Sequence, residues 1–136
     1  MKTIRVHQPG EPEVLHFEDA EIPKPGPGEA VVRHEAIGVN FIDIYHRSGL
    51  YKLPLPFTPG MEAAGTVESV APDVADLRPG HRVAYAMSLG SYSQYSVVPA
   101  WKLVPIPDTV DFRSAASCKS RVAWLERTPV GWGPIA

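Results

Sequence analysis

Hydrophobic and polar residues alternate in short stretches along most of this chain, and the stretches are separated by prolines and glycines. Lys2 to His7 alternates as a short strand, and Val14 to Ala20 does the same after the turn Pro9-Gly10-Glu11-Pro12. Pro23 to Gly28 (PKPGPG) cannot be strand interior, because its prolines remove ladder donors. Glu29 to Val39 reads as a longer, mostly buried strand. Asn40 to His46 instead places Phe41, Ile44 and Tyr45 at helical spacing, which predicts a short helix ending at Gly49. After the rigid connection Pro54 to Gly60, further strands are predicted over Glu62 to Val70, Arg82 to Ala86, Ser91 to Val98 and Trp101 to Pro105. Asp111 is placed to cap a helix containing Phe112, Ala115, Ala116, Val122 and Ala123, which Ser114, Ser117 and Ser120 make weak. Many short strands at short intervals predict a mainly β fold, a sandwich or barrel, rather than βαβ units.

Composition narrows this picture. With 136 residues, 44% hydrophobic and 21% charged, the chain has the size and balance of one globular domain. The formal charge of -2 gives no pull toward nucleic acid or anionic membrane, and no partner of either kind is expected. Met1 opens a polar, alternating segment with no signal-like apolar run, so a cytoplasmic location is expected. Cys118 is the single cysteine, which excludes an internal disulfide and a cysteine-rich zinc site. The 15 prolines, about twice the usual share, fall between the alternating segments and favour stiff turns.

Three motifs carry a family resemblance: GVNFIDIYHRSGLY (Gly38 to Tyr51), PGMEAAGTVESV (Pro59 to Val70) and GSYSQYSVVPAWKLVPIPDTVDF (Gly90 to Phe112). In this order and spacing they closely resemble the zeta-crystallin-like quinone oxidoreductases, the zinc-free branch of the medium-chain dehydrogenases and reductases. The match runs from Met1 to about Ala116. It implies a GroES-like, partly open β-barrel with a short helix, the domain that in such enzymes shapes the substrate pocket beside a Rossmann domain that binds NADPH. No Rossmann domain is expected in this chain. Gly26-Pro27-Gly28 lacks a third glycine and precedes a strand rather than a helix, so it reads as a turn and not as a dinucleotide fingerprint. The expected division is a GroES-like domain over 1–113 and a divergent tail over 114–136, a weak helix and then a loop. The tail resembles nothing in the family, as a truncation with a foreign ending would.

The candidate site follows from these motifs. Met61 stands where zinc-dependent relatives carry a histidine ligand, and Asn40 lies in the region of their cysteine ligand. A thioether is a poor zinc ligand, so no metal is expected. Glu62, an acid among small apolar residues, needs a partner if buried; a structural role is expected, paired with Arg47 or Arg82. Asn40 and Asp43 have the spacing of a capping box, with Asp43 structural. The resemblance adds a role for Asn40 beside the nicotinamide. It also places Tyr45 against cofactor and substrate, and Tyr51 and Met61 in the quinone pocket. Aromatic packing accounts equally well for Tyr45 and Tyr51. Tyr92 and Tyr95 are read as sheet packing. His81 replaces the family's aspartate after Pro-Gly, which puts that turn's hydrogen bonds in doubt. No nucleophile elbow is present, Cys118 has no evident activation, and no catalytic acid or base is assigned.

Two functions follow from this reading. In the first, the chain is the N-terminal domain of an NADPH-dependent quinone reductase, inactive alone. In the second, it is a non-enzymatic GroES-like binding or regulatory module that pairs with a full-length paralogue, with Trp124 and Trp132 of the tail available to cover apolar surface. In either, the uncovered cleft residues Tyr45, Tyr51 and Met61 favour self-association or marginal stability. The Met61 substitution gives a direct test: elemental analysis of purified protein should find no stoichiometric zinc, and one zinc per chain would reject the zinc-free assignment.

Overall fold

The structure is a computed structural model, and it describes residues 1–117. Two antiparallel sheets carry the fold. β1 (Lys2–Arg5) and β2 (His16–Asp19) form a hairpin. The second sheet has the order β6-β3-β4-β5-β7. Its members are β3 (Glu29–Gly38), β4 (Glu62–Val70), β5 (Arg82–Ala86), β6 (Tyr95–Pro99) and β7 (Val104–Pro105). Isolated bridges Thr3↔Ser93 and Val6↔Phe57 tie the hairpin to the loops of the larger sheet. Among the described residues the sheets do not close into a barrel, and the architecture is the mainly β, GroES-like one expected. One helix, α1 (Phe41–Ser48), follows β3.

The strand alternation has a physical reading. Ala63 and Val67 of β4 and Val83 and Tyr85 of β5 point into one core, with Ala30, Val32, Val98 and Leu103. Ala64 and Ala84, at the alternate positions, face the other side, where Ala115 and Ala116 pack on them. Period-two alternation allows only this division. A register shift between His34 and Ala36 turns Ala36 to the side of its partner Ala64, so one strand serves both layers.

Several boundaries differ from the sequence expectation. Residues 91–94 are not a regular strand; their main chain bonds to both sheets, with Tyr92 O accepting from Ile4 N, Gln94 N donating to Lys2 O and Gln94 O accepting from His34 N. Pro12–Val14 and Ala100–Lys102 are 3-10 turns, which shortens β2 and β7. Residues 112–117 are helical, with Asp111 Oδ1 accepting from Ser114 N at 2.8 Å as a cap. Cys118, Trp124, Trp132 and most of the proposed tail lie outside the described residues. At His81 the turn survives the loss of aspartate, since the ring Nδ1 accepts from the Arg78 amide at 3.3 Å.

His34 sits at the register shift with both ring nitrogens engaged. The Ser93 carbonyl can only accept, so Nδ1 donates to it at 2.6 Å, and Nε2 accepts from the Tyr85 hydroxyl at 2.9 Å. Burial holds this imidazole below its ordinary pKa, partly opposed by the Ser93 carbonyl. The unfolded chain therefore takes up the proton more readily than the folded one. Stability should fall as pH drops through about 6.5. Urea unfolding of His34→Gln across that range should lose part of the slope, and an unchanged slope would remove His34 as its source.

Candidate functional site

The site is built where β3 leaves the sheet and α1 begins. Asn40 is extended at the N-cap and forms a capping box with Asp43, whose Oδ2 accepts from the Asn40 amide at 2.9 Å. At the other end Gly49 takes a left-handed conformation, φ 82°, which side-chain-bearing residues rarely adopt. The chain turns back there, and the Tyr51 amide donates to Tyr45 O at 3.0 Å. That reversal brings the two tyrosine rings edge to face at 5.5 Å between centroids. Both stay open to solvent, Tyr45 by 38% and Tyr51 by 52%, beside exposed Ile44 and Leu50.

Glu62 is buried, and its partner is not an arginine. Its Oε1 accepts from Asn40 Nδ2 at 3.0 Å. The expected pairing with Arg47 or Arg82 is corrected by where those side chains are used. Arg47 donates to Gly10 O from the last turn of α1. Arg82 lies opposite Thr66, four residues along β4 from Glu62, a separation of about 13 Å at strand spacing. It bonds the carbonyls of Pro107 and Val110 and stacks on Phe112 at 4.4 Å. Glu62 crosses directly over Gly38: a Cβ there would come within 2.2 Å of Oε1, so only glycine admits this carboxylate.

Met61 is half-buried just before β4, and its carbonyl accepts from Ser88 N at 3.3 Å. A cavity of about 370 Å³ opens beside Glu62, bordered by Ile37, Val39, Arg113 and Ala116. A larger groove of about 530 Å³, between the hairpin and β3, holds none of Asn40, Tyr45, Tyr51 or Met61. No group of three His, Cys, Asp or Glu side chains is gathered to hold a metal among the described residues.

Two further residues of the site, Tyr92 partly buried and His46 buried, were not assigned to it from sequence. Tyr92, expected to pack on the sheet, donates its hydroxyl to Asp43 Oδ2 at 2.8 Å. Its pKa is pushed up by burial and then by the Asp43 carboxylate. His46 is buried on the same helix and lies edge-on to Tyr51 at 6.2 Å. Nothing local in the sequence marks the first contact, which spans 49 residues.

The glycines at 26 and 28 are spoken for. Gly26 N donates to Glu29 Oε2 at 2.9 Å and Gly28 N to Asp73 Oδ1 at 3.0 Å, while Pro27 has no amide. The turn meets carboxylates with its donors, so a pyrophosphate would find no free amide there and a repelling charge.

The Asn40–Glu62 bond can be tested by exchange of chemistry. Glu62→Gln keeps an acceptor and should change stability by under about 1 kcal/mol. Asn40→Asp keeps a good N-cap but replaces the donor with a second carboxylate, and should cost about 1–3 kcal/mol. Urea denaturation compares them, and a neutral Asn40→Asp would show the bond to be unimportant.

Residues 26–108 match the alcohol dehydrogenase GroES-like domain family. The chain is 49% identical over 118 residues to a quinone oxidoreductase of Pseudomonas aeruginosa, covering 85% of this chain and 36% of that protein. Among solved structures it resembles a Pseudomonas syringae quinone oxidoreductase, with TM-score 0.86 and 44% identity, over 98% of this chain and 42% of that one. It also resembles the Escherichia coli quinone oxidoreductase complexed with NADPH, with TM-score 0.87 and 39% identity, over 94% and 41%. The chain thus spans well under half the length of these relatives. By its matched residues and its fold, the chain belongs to the alcohol dehydrogenase GroES-like domain family, in the form carried by quinone oxidoreductases.

Proposed function

We propose that residues 1–113 are the substrate-side domain of an NADPH-dependent quinone reductase, and that this chain alone does not turn over. The observation that carries the reading is the exposed edge-to-face pair of Tyr45 on α1 and Tyr51 just after it, on a helix whose N-cap residue Asn40 is locked to Glu62. A flat, weakly polar substrate is well met by an aromatic wall with few fixed polar groups.

Asn40 and Tyr45 are the residues we assign to the nicotinamide side, and Tyr45, Tyr51 and Met61 with Asn40 to the quinone side. One N–H of the Asn40 amide goes to Glu62, so the second keeps a fixed direction and is suited to a carbonyl oxygen. The tyrosines orient a planar ring and exclude water from one of its faces. Asp43 and Glu62 serve these residues rather than the substrate. NADPH, when bound, supplies the hydride. These residues fit its nicotinamide end only, because the turn amides at 26 and 28 are already occupied by carboxylates.

The same exposed face favours self-association when nothing covers it. It also leaves open a non-enzymatic role in which a full-length paralogue provides the cover. No helix of the described residues is long and apolar enough to cross a membrane.

A graft tests the reading. Residues 1–113 replace the corresponding segment of the Escherichia coli enzyme, and NADPH consumption is followed with a series of benzoquinones and naphthoquinones. The graft should consume NADPH only when quinone is present, and the unmodified 136-residue chain should not. A folded graft that binds NADPH yet reduces no quinone would reject the assignment, and turnover by the chain alone would reject the dependence on a second domain.

A further inference from the structure

Three large apolar side chains stand open around one groove: Phe17 at 69%, Ile37 at 40% and Val39 at 80% exposure. This is the groove of about 530 Å³ between the β1–β2 hairpin and β3, lined also by Ile4, Ala36 and Gln94. Apolar surface gathered in one concave place marks a contact with something else.

The course of the chain shows what is at hand to fill it. Ser117, the last described residue, borders the smaller cavity of about 370 Å³. Ala36, Ile37 and Val39 line both that cavity and the groove. Segment 118–136 therefore begins beside the wall that the two share. Extended, a segment of that length spans up to about 60 Å, so reach is no obstacle. A surface next to the point of attachment is also met at high effective concentration.

The chemistry of the segment fits. Trp124, Leu125, Val130 and Trp132 fall within nine residues, an apolar stretch suited to burial. Lys119, Arg121 and Arg127 against Glu126 give the segment a charge of +2. Residues 1–117, with ten basic and fourteen acidic side chains, carry −4. Opposite charge draws the segment in, and apolar contact fixes its place. A second copy of the chain, with a net charge of −2, brings no such attraction.

We infer that the stretch 122–132 docks in this groove against Phe17, Ile37 and Val39, and leaves the aromatic wall of Tyr45 and Tyr51 open. The hairpin meets the loops of the larger sheet through the isolated bridges Thr3↔Ser93 and Val6↔Phe57. The docked stretch straps it to β3 as well. The inference does not rest on the quinone-reductase reading, since no step of that reaction enters it.

In the full chain, Trp101→Phe leaves Trp124 and Trp132 as the only tryptophans, so fluorescence reports the segment alone. Their emission should be blue-shifted and shielded from acrylamide throughout a tenfold concentration range. Adding Phe17→Lys, at an exposed position, should move the emission to the red and raise quenching several-fold. Adding Tyr45→Lys should change neither. Solvent-like emission in Trp101→Phe itself, no release by Phe17→Lys, or release by Tyr45→Lys would each overturn the inference. Shielding that disappears on dilution would overturn it in favour of a second copy. Another measurement stands even if Phe17→Lys fails to fold. A nitroxide attached through Gly133→Cys, in a chain with Cys118→Ser, should broaden the ¹⁵N amides of Ile4, Phe17 and Gln94 more than those of Tyr45 and Tyr51. Equal broadening, or the reverse order, would overturn the docking.

Discussion

The hydrogen bond from Asn40 Nδ2 to Glu62 Oε1 joins the N-cap of α1 to the first residue of the central strand β4. Everything placed on α1 depends on it for direction. Asn40 is at once the N-cap of the helix and the donor to a buried carboxylate, so the start of α1 is fixed both along its axis and sideways against the sheet. The bond is possible because β3 ends in Gly38, across which the Glu62 side chain passes with no room for a Cβ. A carboxylate in this position would otherwise be a burial penalty without return.

From that anchor the helix acquires two faces of different character. One presents Ile44 and Tyr45 outward, and Gly49 folds the chain back so that Tyr51 stands against Tyr45. The opposite face buries Asp43 and His46. The outward face is apolar and open, which suits a flat partner or another domain. The inward face is polar and enclosed, which holds the outward one still. In the function we propose, orientation is what such a wall contributes, and the enclosed face supplies its backing.

The glycine turn near residue 26 spends both amides on carboxylates, and the match to the relatives covers well under half of their length. Arg82 has a comparable structural use elsewhere, clasping the carbonyls before residues 112–117 and stacking on Phe112, which secures that helix on the back of the sheet.

The β class, the strand from Glu29, the short helix after Asn40 with its cap and its glycine stop, and the turn around Gly26 were all legible in the sequence. Each is settled by a local cause: side-chain alternation, a capping pair three residues apart, or a missing proline amide. That Glu62 would have a partner was legible too, because a buried acid among alanines needs one wherever it lies. Which partner it finds was not, since Asn40 and Arg82 are both polar and both plausible until the β4–β5 register carries Arg82 to the far end of the strand pair. Nor could Tyr92 be told from a sheet-packing tyrosine, because the acceptor for its hydroxyl lies 49 residues away and is set only when residues 91–94 bond to β1. The sequence by itself determined the elements and the kinds of side chain at the site. The tertiary structure alone decided the pairing among them, because antiparallel register and loop docking act between residues that no local pattern connects.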